Sequence, residues 1–570
     1  MNRNVLRLLA LVAVVTAVVL AFLVFAAATS AKVPEAVDAP TGTLCPPPAD
    51  GSNQKEWCAL DNVERFKGTL NNAGFSLHEA EFAYFDFVDM NCQNKMYTTL
   101  ANNPWPNAYM VMTGTQRLED RTPPYDKFWD KFSWNYQLRE DEAFVLVGQT
   151  PPKARYFSFQ TTALMVPGDE WTPTRWKPVG INVGDNTNNL TIRTIGPDPF
   201  DAPIVYIITG NRETERRVRA AARAAGYPDA IINVEAVSSR IVPLGIGPQG
   251  TIFVTAARAA VADDQGAMND YIINANEYIK AFRLTPVDDP SQPPGPEPVL
   301  PADPEPVPIL RVKGTGHTEM ELWPAAQKLR EAILRKYAND PHYDFKELDT
   351  KIWTLDTPSI WPSSHGPTLS CEKPYVVLQR GVFMGGGNRD TNYLATYPNF
   401  KFLPGADDFV ILYGVNHQTT GKASYSSFCL YADEKRWLGV GTKTSPHFDE
   451  DGGNPGNAGD SARYYLCPDD PKQCDPDVQY LYAWKIARHC DDGEPFCMET
   501  AVENTVFSRP DDSTYTCKAN AEHPDFIKED SELFFLFRSY MEPDTKVGPD
   551  DNELVYDRAI YFGPYFVMPR

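Results

Sequence analysis

Asp141-Glu-Ala-Phe-Val-Leu-Val-Gly148 lies without a gap on Asp407-Asp-Phe-Val-Ile-Leu-Tyr-Gly414. Just downstream, Lys153-Ala-Arg-Tyr-Phe-Ser-Phe159 matches Lys422-Ala-Ser-Tyr-Ser-Ser-Phe428, the pattern K-A-x-Y-x-S-F in both. Arg175-Trp-Lys-Pro-Val-Gly180 then matches Arg436-Trp-Leu-Gly-Val-Gly441. Three blocks in the same order in two halves of one chain predict a tandem internal duplication. Outside these blocks, Ala108–Met112 pairs less closely with Pro374–Leu378. Phe253–Asp264 pairs with Leu533–Asp544, sharing Arg258 and Arg538.

Each repeat opens with a short apolar run that ends at Gly148 or Gly414, the pattern of a strand buried on both faces. The block after it alternates, so Tyr156 and Ser158 share one strand face, as do Tyr425 and Ser427. The two segments are expected to form an antiparallel hairpin. Helices are fewer. Glu213 to Ala225 places Val218, Ala221, Ala222 and Ala225 on one stripe and Arg216, Arg219 and Arg223 on the other, with Gly226 as a C-terminal stop. Ile204–Thr209 before it and Ala230–Val234 after it read as strands. Trp323 to Tyr337 and Asn62 to Asn72 read as two more amphipathic helices, each placed to introduce one repeat. The expected fold class is therefore α+β, β-rich, with two tandem related units. Residues 286–308 contain ten prolines and read as an extended, semi-rigid linker. The organisation expected is a segment 1–31, an extended stretch 32–60, a first unit 61–285, a Pro-rich linker 286–309 and a second, Cys-rich unit 310–570.

Arg3 and Arg7 precede an apolar stretch from Leu8 to Ala28 interrupted only by Thr16. Such a start reads as a secretory signal, cleaved near Ala28–Ala31, or as a membrane anchor over residues 8–28. Either way the chain beyond Lys32 is expected to be extracytoplasmic, touching the membrane only through this segment. All ten cysteines follow it, as an exported disulfide-bonded protein requires. Cys467/Cys474 and Cys490/Cys497 share the spacing C-x6-C, too wide for paired zinc ligands and suited to closing short loops. The net charge of −22 repels phosphate backbones, so no nucleic-acid partner is expected.

Gly245-Ile-Gly-Pro-Gln-Gly250 fits G-x-G-x-x-G in form only: a strand-like run follows it, where a dinucleotide site needs a helix. No G-x-S-x-G, H-E-x-x-H or C-x-x-C is present. His417 is the catalytic candidate, because it sits in the longer connection Val415–Gly421 that the first repeat lacks. Asp449, Asp451 and Asp460, among glycines and asparagines, offer the hard oxygens of a calcium (Ca2+) loop. Lys153, Tyr156 and Ser158, with Lys422, Tyr425 and Ser427, form two matched sets that either line a ligand site or pack the repeated core. These readings together predict an extracytoplasmic, disulfide-stabilised two-unit binding or envelope-interaction protein with an extracellular or envelope ligand. The alternatives are an exported hydrolase with its site between the units, and a calcium-stabilised envelope structural module.

Overall fold

The computed structural model describes residues 59–85, 108–115, 134–168, 176–352 (apart from 290, 292, 296, 339 and 341), 375–376, 378, 387–432 (apart from 404–406), 438–439, 461–499 (apart from 468–473), 506–508, 514–516 and 532–564. It is β-rich, with two curled sheets and few helices. The expected signal or anchor segment, Trp437, and Asp449, Asp451 and Asp460 lie outside the described residues. Among the described residues no helix is long and apolar enough to cross a membrane.

The first sheet contains β1 (Phe75–Tyr84), β2 (Ala108–Thr113), β3 (Ala143–Gln149), β4 (Ala154–Pro167), β5 (Trp176–Asn182), β6 (Thr187–Asn188), β7 (Pro203–Thr209), β8 (Ile232–Ala236), β9 (Ile252–Ala262) and β10 (Ile279–Pro286). Its order is β5-β4-β9-β2-β1-β10-β3-β7-β8, with β6 on β4. The second sheet contains β11 (Asp344–Ile352), β12 (Thr391–Tyr397), β13 (Phe409–Val415), β14 (Tyr425–Ala432), β15 (Leu438–Gly439), β16 (Leu481–Ala487) and β17 (Cys497–Glu499). After the separate pair β18 (Val506–Ser508) and β19 (Thr514–Thr516), it is completed by β20 (Leu533–Tyr540) and β21 (Arg558–Gly563). Its order is β15-β14-β20-β12-β11-β21-β13-β16-β17.

Replacing β1, β2, β3, β4, β5, β7, β8, β9 and β10 by β11, β12, β13, β14, β15, β16, β17, β20 and β21 converts one order into the other, including the parallel pair at one edge. Registers agree as well. Ser158 faces Arg258 where Ser427 faces Arg538, and Leu146 lies between Ala281 and Tyr206 where Leu412 lies between Ala559 and Trp484. In each sheet the first strand turns a corner. Phe75–Ala80 pairs with β10 and Glu81–Tyr84 with β2; Asp344–Leu348 pairs with β21 and Asp349–Ile352 with β12. Each sheet thereby folds into two arms that enclose a core. Phe82, Met110, Phe157 and Phe159 meet Phe144, Leu146, Ile204 and Ile279 in the first. Leu394, Phe428, Phe535 and Phe537 meet Val410, Leu412 and Ile486 in the second.

Helices cover the outer face of one arm. α1 (Val63–Asn72) and α2 (Arg212–Ala224) pack on β3 and β7 through Phe66, Leu70, Val218, Ala221 and Ala222. A shorter helix, α3 (Gln265–Ile273), follows β9, and α4 (Trp323–Tyr337) packs on β13 and β16 through Leu329 and Ile333. β3 and β13 therefore have an apolar layer on both faces, which is why every residue in them is buried and their sequences do not alternate. Gly148 is required at the end of β3, since a Cβ there would stand 2.0 Å from the Tyr278 carbonyl oxygen.

The hairpin expected between the repeated blocks does not form. β3 pairs with β10 and β7, and β4 with β9 and β5. The connection Thr150-Pro-Pro-Lys153 is too poor in amide hydrogens and in positive-φ residues for a tight primed turn, so it carries the chain from one arm to the other. Pro374–Leu378 is not the counterpart of β2 either: Tyr375, Val376 and Leu378 are helical, and β12 takes that place. Gly245–Gly250 is a turn leading into β9, held by Gln137, whose side chain bonds Gly247 and Gly250. Disulfides join Cys467 to Cys474 and Cys490 to Cys497, closing both C-x6-C loops.

The described residues of 288–311 contain no helix or named strand, and several of them bond to the first unit. The Val299 amide donates to Asp141 (2.7 Å), the Arg212 amide to the Asp303 carbonyl (2.9 Å) and the Glu305 amide to that of Gly210 (2.7 Å).

Candidate functional site

Alternation along β4 and β14 sends Phe157, Phe159 and Phe428 into the two cores and turns Tyr156, Ser158, Tyr425 and Ser427 outward. Those outward faces are nonetheless buried, because they meet each other. Tyr156, Ala260, Tyr425, Tyr540 and Met541 form one apolar cluster drawn from both sheets. The Tyr540 ring lies 4.9 Å from Tyr156 and 5.4 Å from Tyr425. Tyr156 donates to Ser158 Oγ (2.7 Å) and lies 3.1 Å from Asp390, which also accepts from Asn188 (3.0 Å). Burial pushes the Asp390 carboxyl up to about 6, against the charge of Arg311 and the bonds from Asn188 and Tyr156. The two lysines of the matched sets part company. Lys153 is exposed beside Asp263, whereas Lys422 is buried between Glu542 and Glu553.

Two arginines lie on the same seam at matched register positions. Arg258 sits over the rings of Tyr540, Tyr109 and Tyr156, and Arg538 over those of Tyr431 and Tyr393. Tyr109 and Tyr393 are themselves matched, each opposite its arginine across the ladder. Burial pushes the Tyr109 hydroxyl up to about 12, partly opposed by Arg258. Cys429 is a buried thiol whose sulfur receives Arg538 Nη1 at 3.4 Å.

His417 lies 2 % exposed between two carboxylates. Its Nδ1 is 2.9 Å from Glu319 and its Nε2 is 3.4 Å from Asp557. Glu319 also accepts from the Val555 amide (3.0 Å), and Asp557 from Tyr482 (2.6 Å). Burial alone would lower the imidazole's affinity for its proton. The charges of Glu319 and Asp557 outweigh it and raise the group to about 10. His417 is thus held as a cation near neutrality and joins the segment before α4 to the β13–β14 connection and to β21; a general base would have to be neutral.

A different polar network runs from the first core, through buried Thr161, Thr255, Tyr136 and Tyr206, to half-buried Glu235. Glu235 on the edge strand β8 accepts from the Thr161 amide (2.8 Å), the Thr161 hydroxyl (2.8 Å) and the Tyr206 hydroxyl (3.2 Å). Thr161 meets Thr255 (3.0 Å), which meets the Tyr136 hydroxyl (2.7 Å). Tyr206 continues to Thr187 (3.0 Å). Burial raises the Glu235 carboxyl to about 7, the bonds from Thr161 and Tyr206 opposing it. In the second unit the register-matched residues are all apolar or non-ionisable. Tyr136 corresponds to Phe400, Thr161 to Leu430, Tyr206 to Trp484, Glu235 to Met498 and Thr255 to Phe535. Of these, Thr161 against Leu430 is visible by continuing the K-A-x-Y-x-S-F blocks, and Thr255 against Phe535 falls inside the pairing of Phe253–Asp264 with Leu533–Asp544. The other three pairs belong to segments that had to be placed in the sheets first.

Among the described residues one group has metal-ligand proximity, Cys490, Glu494 and Cys497, and its two sulfurs are bonded to each other.

No protein-family profile and no curated protein matches the chain. Among solved structures it is similar to the VPA0106 protein from Vibrio parahaemolyticus, at 10% identity over 75% of this chain and 87% of that one, with a TM-score of 0.29. It is also similar to an uncharacterized protein from Burkholderia cenocepacia, at 10% identity over 92% and 91%, with a TM-score of 0.30. Likenesses at these scores carry no argument here.

Proposed function

We propose that this chain is an extracytoplasmic, disulfide-stabilised binding protein of two units related by tandem duplication, with a ligand site in the first unit around Glu235. The Arg3/Arg7-led apolar run and the two disulfides support the compartment. The matched strand orders and registers support the duplication. One observation carries the site. At four matched core positions and one half-buried position beside them, the first unit holds two tyrosines, two threonines and a glutamate where the second holds Phe400, Leu430, Trp484, Phe535 and, against the glutamate, Met498. An apolar filling is therefore available to this fold, and apolar replacement of a buried polar network is often neutral or stabilising. Retaining a hydroxyl-lined network with a carboxyl that is half-protonated near neutrality is the mark of a site that reads a ligand by hydrogen bonds. A small uncharged polar molecule, entering beside β8, fits this lining. The second unit, with its apolar core and disulfide loops, serves as the scaffold.

Glu235→Met tests the reading, since it gives the first unit the second unit's residue. The carboxyl's folded value lies above its unfolded one. Its contribution to stability is therefore full below about 4.5 and lost as pH rises through about 7. The variant escapes that loss. It is expected to melt at or above the wild-type temperature at pH 8, and to lose any small molecule seen on the wild type by native mass spectrometry. A variant that melts well below wild type at pH 8, and keeps the same bound mass, would sink the proposal.

A further inference from the structure

Arg258 is 3 % exposed, yet among the described residues its Nε and Nη2 have no hydrogen-bond partner. Its Nη1 bonds the Tyr540 hydroxyl, and the guanidinium lies 4.7 Å from the Tyr540 ring and 5.3 Å from that of Tyr109. Nε and Nη2 form the flat edge that elsewhere in this protein clamps a carboxylate. Arg139 spans Asp141 with that edge at 2.9 and 2.8 Å, and Arg216 spans Glu213 at 2.8 and 2.5 Å. Among the described residues no carboxylate pairs with Arg258. Its matched partner Arg538 is also buried, with Tyr431 (2.9 Å) and Cys429 (3.4 Å) among its partners. The seam thus buries the fixed positive charge of Arg258 against tyrosine rings. Such rings offset part of the cost of burying a cation, but they do not fill the donor edge.

We infer that the Nε–Nη2 edge of Arg258 anchors a second binding site, for a small oxyanion such as a carboxylate or phosphate group, at the seam between the two sheets. Two parallel N–H bonds to two oxygens of one group satisfy both open donors at once. Tyr109, Tyr156, Tyr425 and Tyr540 supply the walls. The site is independent of Glu235, which lies in the first core on the other face of β4.

Isothermal titration of the full chain with sodium phosphate and with sodium acetate, each at fixed ionic strength against sodium chloride, tests this. The wild type is expected to bind one or both oxyanions saturably and to bind chloride no better than background. Arg258→Gln is expected to abolish that binding. Arg258→Lys keeps the charge but not the fork, and should weaken it about tenfold or more. Wild type that binds neither phosphate nor acetate overturns the inference, as does Arg258→Gln with wild-type affinity. If Arg258→Gln does not fold, Arg258→Lys decides: an unchanged affinity refutes the site and a tenfold loss supports it. Glu235→Met is expected to bind the oxyanion as wild type does, so the two proposals fail separately.

Discussion

His417 illustrates how a residue's neighbours, rather than its type, set its chemistry. An imidazole between Glu319 and Asp557 gains a charge and keeps it, and that charge offsets part of the negative charge of the two carboxylates. Truncation would leave both acids buried without their cation. His417→Ala is expected to destabilise the fold by about 3–5 kcal/mol, read by urea unfolding. The sign of its pH dependence follows from the raised value. The contribution is full below about 6.5, the unfolded value, and is lost as pH climbs towards about 10. The gap between wild type and His417→Ala should therefore narrow from pH 6 to pH 10. A gap that is constant across that range would show that the imidazole is not held as a cation.

Among the elements, α2 ties the first unit to the proline-rich stretch. Asn211 caps the helix by accepting from the Glu213 and Thr214 amides, at 2.9 and 3.1 Å. Its own amide donates to the Pro301 carbonyl at 3.0 Å. Asn211→Ala removes both functions and is expected to cost about 1–2 kcal/mol, with faster amide exchange at residues 299–305 in the same variant. Exchange unchanged there would mean that Asp141 and Gly210 hold the stretch without it. This helix was legible beforehand, because its apolar stripe and its stop at Gly226 are local signals. The β3–β4 hairpin was not. Both strands were identified, but their partners are β10 and β9, strands distant in the sequence and chosen by the closing of a curled sheet.

At the scale of the whole molecule, the seam joins the two sheets through polar contacts. Asp390, from the second, holds Tyr156 and Asn188 of the first, while Arg389 binds Asp185 at 2.7 Å. A short parallel bridge joins Ile181 to Gly387. Wild type is expected to melt in a single calorimetric transition. Asp390→Ala, which removes one acceptor from Tyr156 and one from Asn188 while Ser158 and the Lys546 carbonyl remain, should lower the transition and broaden or split it. A transition of unchanged width and midpoint would assign the coupling to aromatic packing alone. Nor was the chemistry of this seam read from the sequence as such. The matched tyrosines and serines were picked out, and Arg258 and Arg538 were aligned, but nothing local said that the two outward faces would cover each other.

The sequence by itself determined the β-rich class, the buried strands that contain Gly148 and Gly414, the three amphipathic helices and the two C-x6-C loops. Each of these is set by period, by a stop residue or by short spacing, all of which act within a few residues. Tertiary structure alone decided which strands pair, that the K-A-x-Y-x-S-F faces meet at a seam, that His417 is charged, and that Glu235 sits among hydroxyls in one core while Met498 fills its place in the other. Those outcomes depend on which side chains are brought together from distant segments. The free energy of a buried charge or hydroxyl is set by the partners it finds there, and no local pattern encodes them.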